Sequence, residues 1–357
     1  MRLTDLARLA ALLSRISRPP GGEASPRVEE RRDRRAPSTG TSYDLYVPRG
    51  TPRATLVALH GVTAQGRADP RLVHFGRSLA CSGVTCAVPT LPGLADGRWD
   101  AGDVDAIVDV VSELPAPRVG LLGFCYGAGY ALVAAARPQI AARVPFVACF
   151  GAYHSALDLF DEYVASRERQ PTEEEFALHR GAPGGREQGE LRLHRGAPEG
   201  REQAQLDNWI YLHVVLARHH LPPGELRDAS RALFESYCHD VTPEEKRGLY
   251  ERLRPLDLIS VGHSARDLAT LEALSPAGKL ATLQATVSLI HDPRDVIVPA
   301  AHAERLYAEL QHLPDPKRHR LLVTSLVSHV ELAHVLRPGE IWRLCAALEP
   351  VVRASDK

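Results

Sequence analysis

At 357 residues the chain has room for one α/β core plus an insertion, and its 44% apolar and 24% charged residues are ordinary globular values. No apolar run approaches the roughly 18 residues of a membrane span. Lys and Arg at 43 against Asp and Glu at 44 leave a formal charge of -1, which excludes the global basic field that non-specific nucleic-acid binding needs.

The first element is an amphipathic helix: Leu3, Leu6, Leu9, Leu13 and Ile16 recur at three- and four-residue steps until Pro19-Pro20. Such a helix docks on the core, on a partner or weakly on a membrane surface. Asp5, Arg8 and Arg15 interrupt its apolar residues, so the segment lacks the character of a secretion signal and a cytoplasmic, soluble protein is expected. The six cysteines show no CxxC spacing, and free thiols in a reducing compartment are expected. Residues 20–40 carry Pro, Gly, Ser and the run Glu29-Glu30-Arg31-Arg32-Asp33-Arg34-Arg35, a composition read as a linker. Residues 1–40 are therefore assigned to helix plus linker.

From Ser42, apolar or β-branched runs alternate with helical patterns. The runs are Tyr43–Val47, Ala54–His60, Val84–Val88, Val119–Gly123, Val144–Phe150, Ala285–His291 and Arg320–Leu326. Helices are expected at Pro70–Cys81, Val104–Leu114, Tyr126–Ala136, Ala300–Leu310 and Glu340–Val352. Continuous apolar strands separated by helices imply an α/β fold with a mostly parallel central sheet covered on both faces. The alternation fails once, over 153–275, where helical patterns such as Asp207–His220 and Ala229–His239 replace strands; this is a large helical lid insertion. It divides the core into 41–152 and 276–357. Within it Leu178–Gln188 recurs as Leu193–Gln203 with the single change Gly184 to Glu199, a duplication rich in Gly, Pro and charge that suits an exposed loop.

The run Gly123-Phe-Cys125-Tyr-Gly127 joins a buried strand to a small-residue helix. A nucleophile on so tight a turn takes a strained backbone, and glycine two residues before and after relieves the crowding. Cys125 then sits at a helix N-terminus, where the positive end of the dipole favours negative charge on sulfur. A thiol nucleophile needs a base and a group that orients the base. Asp295 lies just beyond the strand Ala285–His291, with Asp292 as the rival acid before Pro293. His329 follows the last strand, with His334 five residues further on as the rival base. The turn His60-Gly61-Val62-Thr63 after Ala54–Leu59 places oxyanion donors at the N–H groups of Val62 and Tyr126. His60, Tyr153 and His154 are pocket candidates from loops at the same sheet edge, His60 also being suited to bonding neighbouring loops. Cys81, Cys86, Cys149 and Cys345 read as core thiols. The remaining histidines, His219-His220 among them, show no zinc spacing, so no metal site is expected, and chemistry on a thiol nucleophile requires no cofactor.

The order Cys125, Asp295, His329 is the nucleophile–acid–base order of the α/β-hydrolase fold, and over residues 42–152 and 276–357 the chain resembles that superfamily. The elbow looks like the Gly-x-Cys-x-Gly of dienelactone hydrolases and, more distantly, of polyhydroxyalkanoate synthases. The resemblance implies a Cys–Asp–His triad at those three residues. Dienelactone hydrolases lack a long helical insertion and carry a glutamate near the thiol, whereas Asp44 is the only acid in residues 41–60 here. The expected function is hydrolysis of a small-molecule carboxylic ester, lactone or thioester through an acyl-enzyme. Two other readings stay open: an acyltransferase or cyclase using the same acyl-enzyme, and a hydrolase-fold binding protein without catalysis.

Overall fold

The structure, a computed structural model, describes residues 3–17, 26–165, 216–217, 220–222, 224–228, 248, 251–253, 256, 265–295, 297–328, 331–332 and 338–355. The chain opens on helix α1 (Leu3–Ile16) and then runs β1 (Val28–Arg35), β2 (Ser42–Pro48), β3 (Ala54–Leu59), α2 (Pro70–Cys81), β4 (Val84–Pro89), the single turn α3 (Pro92–Ala95) and α4 (Gly102–Glu113). It continues with β5 (Gly120–Phe124), α5 (Tyr126–Ala135), β6 (Phe146–Phe150), α6 (Ala156–Ala165), α7 (Ala265–Leu274), β7 (Thr286–His291), α8 (Ala300–Leu310) and β8 (Arg320–Val323). A short antiparallel pair, β9 (Val327–Ser328) and β10 (Glu331–Leu332), precedes α9 (Pro338–Ser355).

Among the described residues β1 to β8 form one sheet in the order β1-β2-β4-β3-β5-β6-β7-β8. Strand β2 runs antiparallel to β1 and β4, and every pair from β4 to β8 is parallel. Strand alternation explains why both faces had to be covered. In β5, Leu121 enters the cluster of Ile107 and Val110 of α4 and Leu306 of α8, while Leu122 enters the cluster of Leu344 and Leu348 of α9. The parallel strands therefore read as continuous apolar runs rather than alternating ones. Helix α1 docks on the second face, burying Leu9 and Leu13 beside Leu344, Cys345 and Leu348, and His74 of α2 bonds the Arg15 carbonyl at its end.

The structure corrects the linker reading over residues 28–35, while residues 20–25 lie outside the described residues. The charged run is strand β1, paired along β2 with a register break between Arg31 and Arg34 where Asp33 takes φ 53°. Ion pairs supply what apolar burial does not. The carboxylate of Asp44 on β2, itself buried, accepts from Arg32 Nη1 at 2.6 Å, from the Asp33 N–H at 2.9 Å and from Arg67 Nε at 3.2 Å. Arg32 also lies over the Tyr46 ring, and Glu30 pairs with Arg77 of α2 at 2.7 Å. Charge along an outer strand further blocks edge-to-edge pairing with another sheet.

Arg320–Leu326 is not one strand either. β8 stops at Val323 because Thr324 Oγ1 accepts the Leu326 N–H at 3.2 Å and turns the chain. The tandem repeat at 178–203, the helical pattern at Ala229–His239 and most of that at Asp207–His220 lie outside the described residues, and the insertion is represented by α6, α7 and short pieces between them.

Asp44→Ala leaves Arg32, Arg67 and the Asp33 N–H without their shared acceptor. Because both arginines reach water, the loss of stability is expected to be about 1–2 kcal/mol. A lowered urea midpoint with β1 exchanging its amides faster checks this; an unchanged midpoint would contradict the role given to Asp44.

Candidate active site

Cys125 stands between β5 and α5 with φ 53° and ψ -125°, a conformation that disfavours any side chain with a Cβ. Such a residue costs about 1–3 kcal/mol and persists only where its surroundings fix it. Here the fixing contacts are visible. The Cys125 N–H donates to the Phe150 carbonyl of β6 at 2.8 Å, and the Cys125 carbonyl accepts from Ala128 at 2.9 Å. Gly123 has no room for a side chain, since a Cβ there would lie 2.4 Å from Ala128 Cα and 2.5 Å from the Gly127 carbonyl oxygen. At Gly127 a Cβ would lie 2.2 Å from the His60 carbonyl oxygen. The elbow is thus wedged against the turn that follows β3.

That turn also leaves no room for a side chain beside the thiol. A Cβ on Gly61 would lie 2.9 Å from Cys125 Cβ and 3.7 Å from Cys125 Sγ. Gly61 was not singled out from the sequence, although the strand-end pair His60-Gly61 carries the signal. Val62 follows Gly61 directly and Tyr126 is the first residue of α5, so the turn and the helix N-terminus that carry these two N–H groups flank Cys125.

His60 is 1% exposed and both ring nitrogens are engaged. Nε2 accepts the Leu91 N–H at 2.9 Å, which puts the proton on Nδ1, 2.6 Å from the Gly61 carbonyl oxygen. Burial pushes its pKa down to about 4. The ring is a neutral strut between the β3 turn and the loop after β4. Tyr153 is also fully buried: its hydroxyl donates to the Leu274 carbonyl at 2.8 Å, and its ring packs on Tyr126 at 5.4 Å. His154 points to α8, with Nε2 3.1 Å from Glu309 Oε2. The polar atoms that these three residues use here are bonded within the protein. Burial raises the Tyr126 and Tyr153 phenols well above their ordinary range, so both stay protonated beside the thiol.

Asp295 lies in the turn after β7 with its side chain fully buried. Oδ1 accepts the N–H groups of Ile297 at 2.9 Å and Val298 at 3.0 Å, and Oδ2 is 3.6 Å from His291 Nε2. His291, the last residue of β7, donates from Nε2 to the Val298 carbonyl at 2.7 Å. Asp292 is buried too, but its Oδ1 accepts the Arg294 N–H at 3.0 Å and faces the exposed Arg294 side chain. His329 and its rival His334 lie outside the described residues; β9 ends at Ser328, one position before His329. Neither His291 nor Tyr163 of α6, whose hydroxyl donates to the Ile297 carbonyl at 2.5 Å, was recognised from sequence. A histidine ending an apolar strand was the one available signal.

Cys86, Cys149 and Cys345 are buried free thiols, and burial raises each. Cys81 is half-buried and free, and Cys238 lies outside the described residues. Among the described residues no three His, Cys, Asp or Glu side chains form a metal cluster, and no helix is long and apolar enough to cross a membrane.

No protein-family model matches the sequence, and no curated protein matches it. Solved structures do. The α/β hydrolase GrgF from Penicillium sp. sh18 is 14% identical over 92% of this chain and 99% of its own, with a TM-score of 0.50. A dienelactone hydrolase from Anabaena variabilis is 15% identical over 91% and 96%, with a TM-score of 0.42. A meta-cleavage product hydrolase from Pseudomonas fluorescens is 18% identical over 88% and 96%, with a TM-score of 0.45. At 14% identity the likeness to the first of these shows the fold alone.

A depressed histidine pKa means that protonation is resisted in the folded state. The His60 ring is therefore expected to stay neutral as pH falls from 8 to 5, charging only near pH 4. Titration of its ring resonances by NMR checks this, and a midpoint near 6.5 would contradict the buried strut.

Proposed function

We propose, with the α/β-hydrolase fold as premise, that this chain hydrolyses a carboxylic ester, lactone or thioester of a small molecule through an acyl-enzyme on Cys125. The observation that carries the reading is the positive φ of Cys125, held by glycines that admit no side chain and abutted by the β3 turn. Strain of this kind, maintained at the C-terminal edge of a parallel sheet, belongs to functional residues.

The proposed roles follow from position. His329 takes the proton from the Cys125 thiol as sulfur bonds the substrate carbonyl carbon. The oxygen of the tetrahedral intermediate accepts the Val62 and Tyr126 N–H groups, at the strand-end turn and the helix N-terminus that flank sulfur. Collapse expels the alcohol or thiol, which recovers the proton from His329. Water then gives a proton to His329 and attacks the thioester carbon, and the acid leaves as the thiol is restored. Asp295 orients His329. Its Oδ1 is bound by two backbone N–H groups, and Oδ2 is the oxygen assigned in this reading to accept from His329. The steps call on this chain's own groups.

Cys125→Ala is expected to lower the hydrolysis of p-nitrophenyl acetate by about 10³-fold or more, and His329→Ala by about 10²–10⁴-fold, with both proteins folded. A Cys125→Ala protein as fast as the parent would sink the assignment. Product esters appearing when alcohols compete with water would turn the reading towards acyl transfer.

A further inference from the structure

The turn that carries Asp295 is held from outside by two side chains that the proposed chemistry does not use. We infer that Tyr163 and His291 are positioning residues that fix the acid turn by capturing its two successive carbonyls, Tyr163 that of Ile297 at 2.5 Å and His291 that of Val298 at 2.7 Å. This rests on the reading of Asp295 as the acid that orients the base.

The geometry is reciprocal. The Ile297 and Val298 N–H groups donate inward to Asp295 Oδ1 while their carbonyls accept from outside, so the Ile297–Val298 peptide unit is held at both ends and the units before and after it at one end each. A carboxylate whose Oδ1 partners cannot rotate has its Oδ2 fixed as well. Tyr163 and His291 come from different elements. His291 ends β7, and its ring is fully buried; Tyr163 is 3% exposed on α6, the first helix of the insertion. The Tyr126 phenol, on the residue after the nucleophile, interacts electrostatically with that of Tyr163. Tyr163 thereby links α6 to the acid turn by its hydrogen bond and lies close to the elbow. Among the described residues the Asp292 carboxylate has no comparable clamp; it meets the Arg294 N–H and the exposed Arg294 side chain.

A buried tyrosine that only packs and one that positions Asp295 differ in coupling. The experiment is a double-mutant cycle of Tyr163→Phe with Asp295→Asn in the full chain, read on kcat, KM and the pH profile of ester hydrolysis. Tyr163→Phe keeps the ring and its packing. It is expected to lower kcat about tenfold with KM within about twofold, to move the acidic limb of the profile to lower pH, and to add nothing to Asp295→Asn. His291→Asn, which removes the Nε2 donor, is expected to behave in the same way, and His291→Gln, which restores a donor near that position, to recover most of the rate. An unchanged kcat and pH profile in Tyr163→Phe, or losses that add fully to those of Asp295→Asn, would overturn the inference while leaving Cys125 chemistry intact. Full activity in Cys125→Ala would remove the functional reading, and the inference with it. If no ester is turned over, the same cycle is read on the pH dependence of Cys125 alkylation by iodoacetamide, with non-additivity expected and additivity overturning.

Discussion

The backbone of Cys125 is the constraint on which the sheet's C-terminal edge is built. A positive φ at a residue with a Cβ is stable only if neighbours leave no alternative, and here they close in from three sides. The Phe150 carbonyl of β6 takes its N–H, Gly123 removes a side chain that would collide within the elbow, and Gly127 removes one that would collide with the His60-Gly61 turn pressing from β3. These contacts come from β3, β5 and β6, adjacent strands in the sheet order. The strand order therefore brings together groups far apart in sequence without further machinery.

Around that centre the site is rigid by bonding rather than by bulk. His60 spans two loops as a neutral ring, Asp295 gathers two peptide N–H groups, and His291 and Tyr163 hold the matching carbonyls. Buried polar groups are costly unless satisfied, and a satisfied network resists displacement. Cys125, 6% exposed, sits inside this frame, which holds its backbone in one orientation.

The parallel strands were legible because burial on both faces writes continuous apolar runs, and α2 and α8 begin and end where their prolines and apolar periods place them. The elbow was legible because its chemistry is local: two glycines and a cysteine between strand and helix. Strand β1 was not, since its order comes from Arg32, Asp44 and Arg67, charges brought together by pairing between segments that composition treats as water-seeking. Nor could sequence reveal that Tyr163 reaches Ile297, 134 residues away, because nothing in a helical pattern marks which hydroxyl meets which carbonyl. Long-range polar contacts leave no periodic trace.

Whether Cys125 carries the acyl group is tested most directly by mass spectrometry of the intact protein after brief exposure to a panel of activated esters and thioesters. The result predicted is a single added acyl mass that maps to the peptide containing Cys125, decays with hydroxylamine and is absent from Cys125→Ala. An acyl mass on another residue, or equal labelling of Cys125→Ala, would contradict it.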